Sequence, residues 1–248
     1  MTFRPAVFAF ALIALAQPAL AFDPSAMSDA EREAFRAEVR AYLMDNPEVI
    51  IEAVNLLEER KANQQAEADQ HLVELYADEI FNDGYSWVGG NPEGDVTLVE
   101  FMDYRCGFCR RAVPEVAKLL EKDGNIRLVI KEFPILGEAS MASSRFAIAT
   151  KMVAGDEAYK QVHDALIDFS GEASEVALRR LAEGLALDAD AIMERMDSRA
   201  VTTVIAKNRE LAQQLQINGT PTFVLGNELL RGFLPADQME LIVEDVRG

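Results

Sequence analysis

The stretch Val99-Glu100-Phe101-Met102-Asp103-Tyr104-Arg105-Cys106-Gly107-Phe108-Cys109 decides how the rest of the chain is read. It holds the only two cysteines among 248 residues, and two residues separate them. The apolar run from Val96 to Phe101 reads as a buried strand, and residues 110–120 read as a helix. A strand that delivers Cys-x-x-Cys to a helix N-terminus suits dithiol chemistry. The helix dipole and the free backbone N–H groups stabilise a thiolate on the first cysteine, and the second is held close enough to close a disulfide. A purely structural disulfide would close a very short loop, and short loops constrain the unfolded chain least. A structural zinc site would need two further Cys or His ligands, and His71 and His163 lie far off in sequence. Redox work is therefore expected, with no metal and no cofactor.

Working outward, the N-terminus reads as a targeting signal. Arg4 precedes an apolar stretch from Ala6 to Ala16, and Ala19-Leu20-Ala21 is a small-x-small cleavage site. Cleavage after Ala21 would export the chain, with residues 1–21 removed, to an oxidising, periplasmic compartment. The formal charge of −18 argues against nucleic acid, whose phosphates would repel the chain. The acids are spread along the sequence and need no special partner.

Ser28-Asp29-Ala30-Glu31 is a capping box that predicts a helix over residues 29–44, with Phe35, Val39, Tyr42 and Leu43 on one face. Asp45-Asn46-Pro47 stops it and starts a second, longer helix. That helix carries an apolar stripe of Ile50, Ile51, Val54 and Leu57, then a polar stretch over residues 58–70. Residues 22–83 thus read as a projecting helical arm whose stripe needs a partner, and a second copy of the arm is favoured over docking on its own domain. Turn-rich residues 84–95 lead into the main domain, 84–248, with an edge strand expected around Tyr85 to Val88. After the Cys-x-x-Cys helix, residues 126–130 complete a βαβ unit. Residues 138–216 read as a helical insert. Thr222 to Leu225, the Gly226-Asn227 turn, Glu228 to Arg231 and a last helix close the chain.

This pattern resembles the thioredoxin-fold disulfide oxidoreductases of the DsbA type. The resemblance rests on residues 99–109 as quoted above, on Lys131-Glu132-Phe133-Pro134-Ile135-Leu136-Gly137 and on Gly219-Thr220-Pro221-Thr222-Phe223. The arm looks like that of the suppressor-of-copper-sensitivity (ScsC-like) subgroup, several members of which are oligomeric isomerases. The fold class implied is α/β, a thioredoxin fold with an inserted helical domain, preceded by an α-helical N-terminal arm.

Carried over to this chain, the resemblance makes Cys106 the nucleophile and Cys109 the resolving cysteine. Arg105 adds positive charge beside the thiol. Gly107 and Phe108, inside the motif, join Thr220 and Pro221 as the substrate-binding set. Phe108 stands where DsbA itself has a His, which removes a thiolate-stabilising donor, and Cys-Gly-Phe-Cys looks closer to the motif of the DsbC-like isomerases. Pro221 matches the family's cis-proline, and cis peptide bonds are nearly confined to X-Pro. Glu100, six residues before Cys106 on an apolar strand, matches the buried acid that relays protons to the resolving cysteine, and Lys131 is its expected partner. Pro114 is expected to be structural. The reading that results is an exported oligomeric disulfide isomerase, a dimer or trimer, acting on substrate proteins and served by a membrane redox partner. The alternatives are a monomeric dithiol oxidase, a periplasmic copper-binding protein using Cys106, Cys109 and Met102, and a redox-inert holdase.

Overall fold

The computed structural model describes residues 26–248. The expected signal and its cleavage site lie outside the described residues. The chain divides into two compact units, the first ending at Glu59 and the second running from Arg60 to Gly248.

In the first unit, α1 (Asp29–Asp45) starts on the expected capping box. The Ser28 N–H donates to Glu31 Oε2 at 2.8 Å, and the Glu31 N–H donates back to Ser28 Oγ at 3.4 Å. Asn46 closes the helix by donating its backbone and side-chain N–H groups to the Tyr42 carbonyl, each at 2.9 Å. The next helix, α2 (Glu48–Leu75), begins one residue after Pro47. Phe35, Val39, Leu43, Met44 and Ile50 line a shallow groove between the end of α1 and the start of α2. Val39, Tyr42, Ile50, Ile51, Val54 and Leu57 are all exposed.

The second unit is built on a five-stranded sheet in the order β1-β3-β2-β4-β5, with β1 (Trp87–Gly90), β2 (Val96–Met102), β3 (Ile126–Glu132), β4 (Thr222–Leu225) and β5 (Glu228–Arg231). Only the β2–β3 pair is parallel. The helix between them, α4 (Gly107–Asp123), makes the βαβ unit and ends on Gly124 in the left-handed region. The insert between β3 and β4 is four helices, α5 (Glu138–Asp168), α6 (Glu175–Gly184), α7 (Ala189–Met196) and α8 (Arg199–Gln214). α5 is two helical runs joined by a kink at Gly155, whose φ of 85° no other residue type adopts easily. The closing helix is α9 (Ala236–Arg247).

Strand β2 is buried on both faces, so its side chains divide by parity. Leu98 and Met102 pack with Leu128, Ile130, Phe223 and helices α4, α5 and α9 in the larger core. Val99 and Phe101 pack with Val129, Phe133, Val224 and Leu211 on the other side. Val73 of α2 and Ile80 of α3 (Ala77–Phe81) are buried in that second cluster. The compact unit therefore starts at Arg60, ahead of the boundary near Gly84 that turn content suggested. The chain between Leu75 and Ala77 also breaks what the sequence presented as one long helix.

Candidate active site

Cys106 is the N-cap of α4, with extended backbone (φ −79°, ψ 117°), so it stands at the positive end of the helix dipole, although its sulfur makes no capping hydrogen bond. It is 7 % exposed, while Cys109, one turn into the helix, is fully buried. Both thiols are free. The Cys106 Sγ lies 3.1 Å from the Thr220 carbonyl oxygen, to which the thiol donates, and the Thr220–Pro221 peptide bond is cis. The structure thus brings Cys106, Cys109, Gly107, Phe108, Thr220 and Pro221 together at one end of the sheet. Phe108, Ile135, Leu136 and Phe233 are exposed apolar side chains, and the Arg111 guanidinium lies 4.4 Å from the Phe108 ring centre and 5.5 Å from that of Phe233.

Glu100 is 2 % exposed and shares the larger-core face with Leu98 and Met102. Burial, reinforced by the nearby Glu132 carboxyl, pushes its pKa up to about 8. Burial first, and then the Glu100 charge, raise the Cys109 thiol well above its ordinary range. A mostly protonated acid near a thiol that resists ionisation is the arrangement a proton exchange between them needs.

Lys131 is not the partner of Glu100. In the parallel ladder Glu100 registers with Ile130 and Lys131 with Phe101, so the two side chains leave opposite faces of the sheet. Fully buried Lys131 instead pairs with the Asp83 carboxylate and donates to the Glu79 carbonyl at 2.6 Å. Burial works against the Asp83 charge, but Lys131 and the Ser86 hydroxyl and N–H outweigh it and hold the carboxyl below its usual range. Arg105 also points away from chemistry: its Nη1 donates to the Gly171 carbonyl at 2.9 Å, so it ties the motif to the segment after α5.

Asp103 is a site residue that motif reading passed over. Its Oδ1 accepts the Arg105 N–H at 2.8 Å, and its Oδ2 accepts the N–H groups of Ile135 and Leu136 at 2.8 and 3.0 Å. Its carbonyl accepts the Cys106 N–H at 3.0 Å. One buried carboxylate thus fixes the entry to the motif against the loop after β3. The signal available in the sequence was an acid three residues before the first cysteine, a spacing open to many other uses.

Because the folded state holds the Glu100 proton above the pH at which an ordinary carboxyl, near 4.5, releases it, the folded chain binds more protons than the unfolded chain from there to about pH 8. Stability contributed by this group is full below that window and is lost as pH rises through it. Glu100→Gln should flatten the fall. Urea midpoints at the acid and alkaline ends of the window check this, and equal slopes in both proteins would show an acid that titrates as in water.

The sequence model of the DSBA-like thioredoxin domain matches residues 97–247, and that of the copper resistance protein ScsC N-terminal domain matches residues 31–64. A solved thioredoxin-like oxidoreductase from Silicibacter pomeroyi DSS-3 is 44 % identical over 68 % of this chain and 96 % of its own, with a TM-score of 0.64. Proteus mirabilis ScsC in a transitional conformation is 26 % identical over 89 % of this chain and 98 % of its own, again with a TM-score of 0.64. Among curated proteins, a Na(+)/H(+) antiporter NhaA 1 of Salinispora arenicola is 34 % identical over 146 residues, which are 58 % of this chain and 22 % of the antiporter. This chain thus spans about a fifth of that relative's length, and ion exchange does not carry over from a match of that extent. Among the described residues no helix is long and apolar enough to cross a membrane. With the domain match covering more than half of its length and a Cys-x-x-Cys pair at the N-terminus of the helix inside that match, the chain belongs to the DSBA-like family of thioredoxin-fold thiol–disulfide oxidoreductases and carries an ScsC-type N-terminal domain.

Proposed function

We propose that this chain is an exported, periplasmic thiol–disulfide isomerase that works as a homo-oligomer, a dimer or trimer. The observation that carries the chemistry is the position of Cys106, at the N-cap of α4 and within 3.1 Å of the Thr220 carbonyl, with Phe108 exposed inside the same motif. The Cys106 thiolate attacks one sulfur of a substrate disulfide. A mixed disulfide forms and the second substrate sulfur leaves as a thiolate. That thiolate, or another in the same substrate, then attacks the mixed disulfide and frees Cys106, which is isomerisation. Alternatively Cys109 gives its proton to the Glu100 carboxylate and attacks the Cys106 sulfur, releasing reduced substrate and leaving the enzyme oxidised. A membrane redox partner then restores the dithiol. The exposed rings offer an unfolded substrate an apolar rest, and the backbone at Thr220 lies where a substrate strand would pass.

The oligomer rests on the arm. Val39, Tyr42, Ile50, Ile51, Val54 and Leu57 present apolar surface on the first unit, which suits a second copy of the same helices. Several active sites around one misfolded chain, together with Phe108 in place of a thiolate-stabilising His, favour reshuffling over net oxidation. Of the sulfurs a copper site would use, Cys106 is 7 % exposed and Cys109 and Met102 are buried completely, which weighs against a copper-handover role.

The test is a chain starting at Arg60, which keeps Val73, Ile80 and Asp83 in the second unit. By light scattering it should be a monomer that still reduces a model disulfide at close to the full-chain rate but loses about tenfold or more of its scrambled-substrate reshuffling. Equal reshuffling by both chains would remove the arm from the mechanism and leave the monomeric oxidase as the better reading.

A further inference from the structure

Below the motif the larger core buries a second carboxyl that the chemistry above leaves unused. Glu132 ends β3, opposite Met102 in the ladder, so it shares a sheet face with Glu100 and is its diagonal neighbour on the adjacent strand. It is 3 % exposed. Its Oε1 accepts two phenol protons, from Tyr159 at 2.6 Å and Tyr104 at 2.8 Å. The Tyr104 hydroxyl in turn lies 3.1 Å from His163 Nδ1, and Tyr159 stacks on the His163 ring. Among the described residues, Glu132 Oε2 and Glu100 Oε1 are buried oxygens without a hydrogen-bond partner. Two carboxyls with one open oxygen each, on one face of paired strands, cost free energy that a merely structural pair would avoid.

Glu132 also borders a cleft that Glu100 does not. It lines a cleft of about 220 Å³ with Trp87, Lys151, Met152, Tyr159 and Asn208. The rim of this cleft at Met152 is exposed, and its lining includes neither cysteine nor Thr220 nor Pro221.

From this arrangement we infer that Glu132 is the proton outlet of Glu100, linking the buried resolving thiol to solvent by a route separate from the substrate-covered face. The inference rests on the Glu100 relay proposed above. When an incoming thiolate breaks the Cys106–Cys109 disulfide, a sulfur–sulfur bond forms at Cys106 and Cys109 leaves as a thiolate. Cys109 takes the Glu100 proton, Glu100 takes the Glu132 proton, and Glu132 is reprotonated by water in the cleft. Oxidation runs the same transfers backwards. The two phenol donors hold the transient Glu132 carboxylate, and Tyr104, two residues before Cys106, ties it to the motif. The groups facing the pair are Cys109, Asp103, Tyr104, Tyr159, His163 and Lys151. Burial keeps His163 uncharged, with its pKa lowered to about 4, Lys151 is paired with Asp156 at 3.0 Å, and the Cys109 thiol is held far above its ordinary range, so the Glu100 and Glu132 carboxyls are what titrates near neutral pH. A substrate lying over Cys106 would block direct access of water to Cys109, and the outlet lets the proton move while the mixed disulfide is in place.

The test uses the full chain and dithiothreitol as the reductant, with stopped-flow rates followed from about pH 5 to about pH 9. Glu132→Gln should slow reduction of the Cys106–Cys109 disulfide about tenfold near neutral pH and displace the pH profile, while alkylation of Cys106 by iodoacetamide keeps its wild-type rate. Glu100→Gln should be at least as slow, and the double variant no slower than Glu100→Gln, because the two act in series. A Glu132→Gln protein with the wild-type rate and profile beside a slow Glu100→Gln protein overturns the outlet and leaves the Glu100 relay standing. Wild-type rates in both overturn the relay itself. Losses that multiply in the double variant also overturn the outlet. If Glu132→Gln fails to fold, Tyr159→Phe takes its place. It removes one donor from the transient carboxylate and should displace the profile toward higher pH, and an unmoved profile overturns the proposal.

Discussion

Replacing Cys106 with alanine should lower disulfide exchange by roughly 10⁴-fold, to the rate of the uncatalysed reaction, while the fold is kept. Cys106 is the one sulfur that combines partial exposure with the N-cap of α4, and Cys109 is buried behind it. Alanine at this position leaves Cys109 as the chain's one thiol, and that thiol is buried. Cys109→Ala should behave differently. Cys106 still attacks, but nothing inside the protein resolves the mixed disulfide, so covalent complexes with substrate proteins accumulate and are visible on non-reducing gels. Mass spectrometry of those adducts should place the linkage at Cys106. Adducts at Cys109 in the Cys106→Ala protein would reverse the roles assigned to the two thiols.

Lys131→Ala should cost about 3–5 kcal/mol of stability, the range for removing one partner of a buried ion pair. The Asp83 carboxylate would lose its counter-charge, though it still accepts the N–H groups of Tyr85 and Ser86 at 2.9 and 2.8 Å and the Ser86 hydroxyl at 2.6 Å. Lys131→Met with Asp83→Asn should recover part of the loss, since a matched neutral pair leaves no lone charge in the core. Thermal melts of the three proteins measure this. The pH profile of exchange should stay where it is in each variant that folds, because Lys131 lies across the sheet from Glu100. A displaced profile would mean that Lys131 reaches the active site after all.

The position of Lys131 shows where reading along the chain stopped short. That β2 and β3 are adjacent and parallel followed from the βαβ pattern, and that Glu100 is buried followed from the apolar residues around it. Whether Lys131 meets Glu100 depends on register, and a shift of one residue moves a side chain to the other face. Register is settled only when the two strands pair, and the ladder aligns Glu100 with Ile130. The partner of Lys131, Asp83, comes from the turn before β1, 48 residues upstream, and no local spacing announces that contact. Asp103 was hidden for the same reason: its value lies in the N–H groups of Ile135 and Leu136, which reach it only after β3 has crossed back.

The sequence by itself determined the elements and the reactive pair. A capping box starts α1, glycine stops α4 and breaks α5, an apolar run makes β2, and Cys-x-x-Cys at a strand-to-helix junction places one thiol on a helix N-terminus. These are short-range effects of backbone hydrogen bonding, glycine conformation and side-chain period, so they are legible within a few residues. Only the tertiary structure decided which buried charges face one another. It set Glu100 beside Glu132 and apart from Lys131, joined Glu132 to Tyr104 and Tyr159, and opened a cleft beside that group. Electrostatic coupling depends on distance and burial across elements far apart in sequence, and those quantities exist only once the sheet and the helical insert have closed around one core.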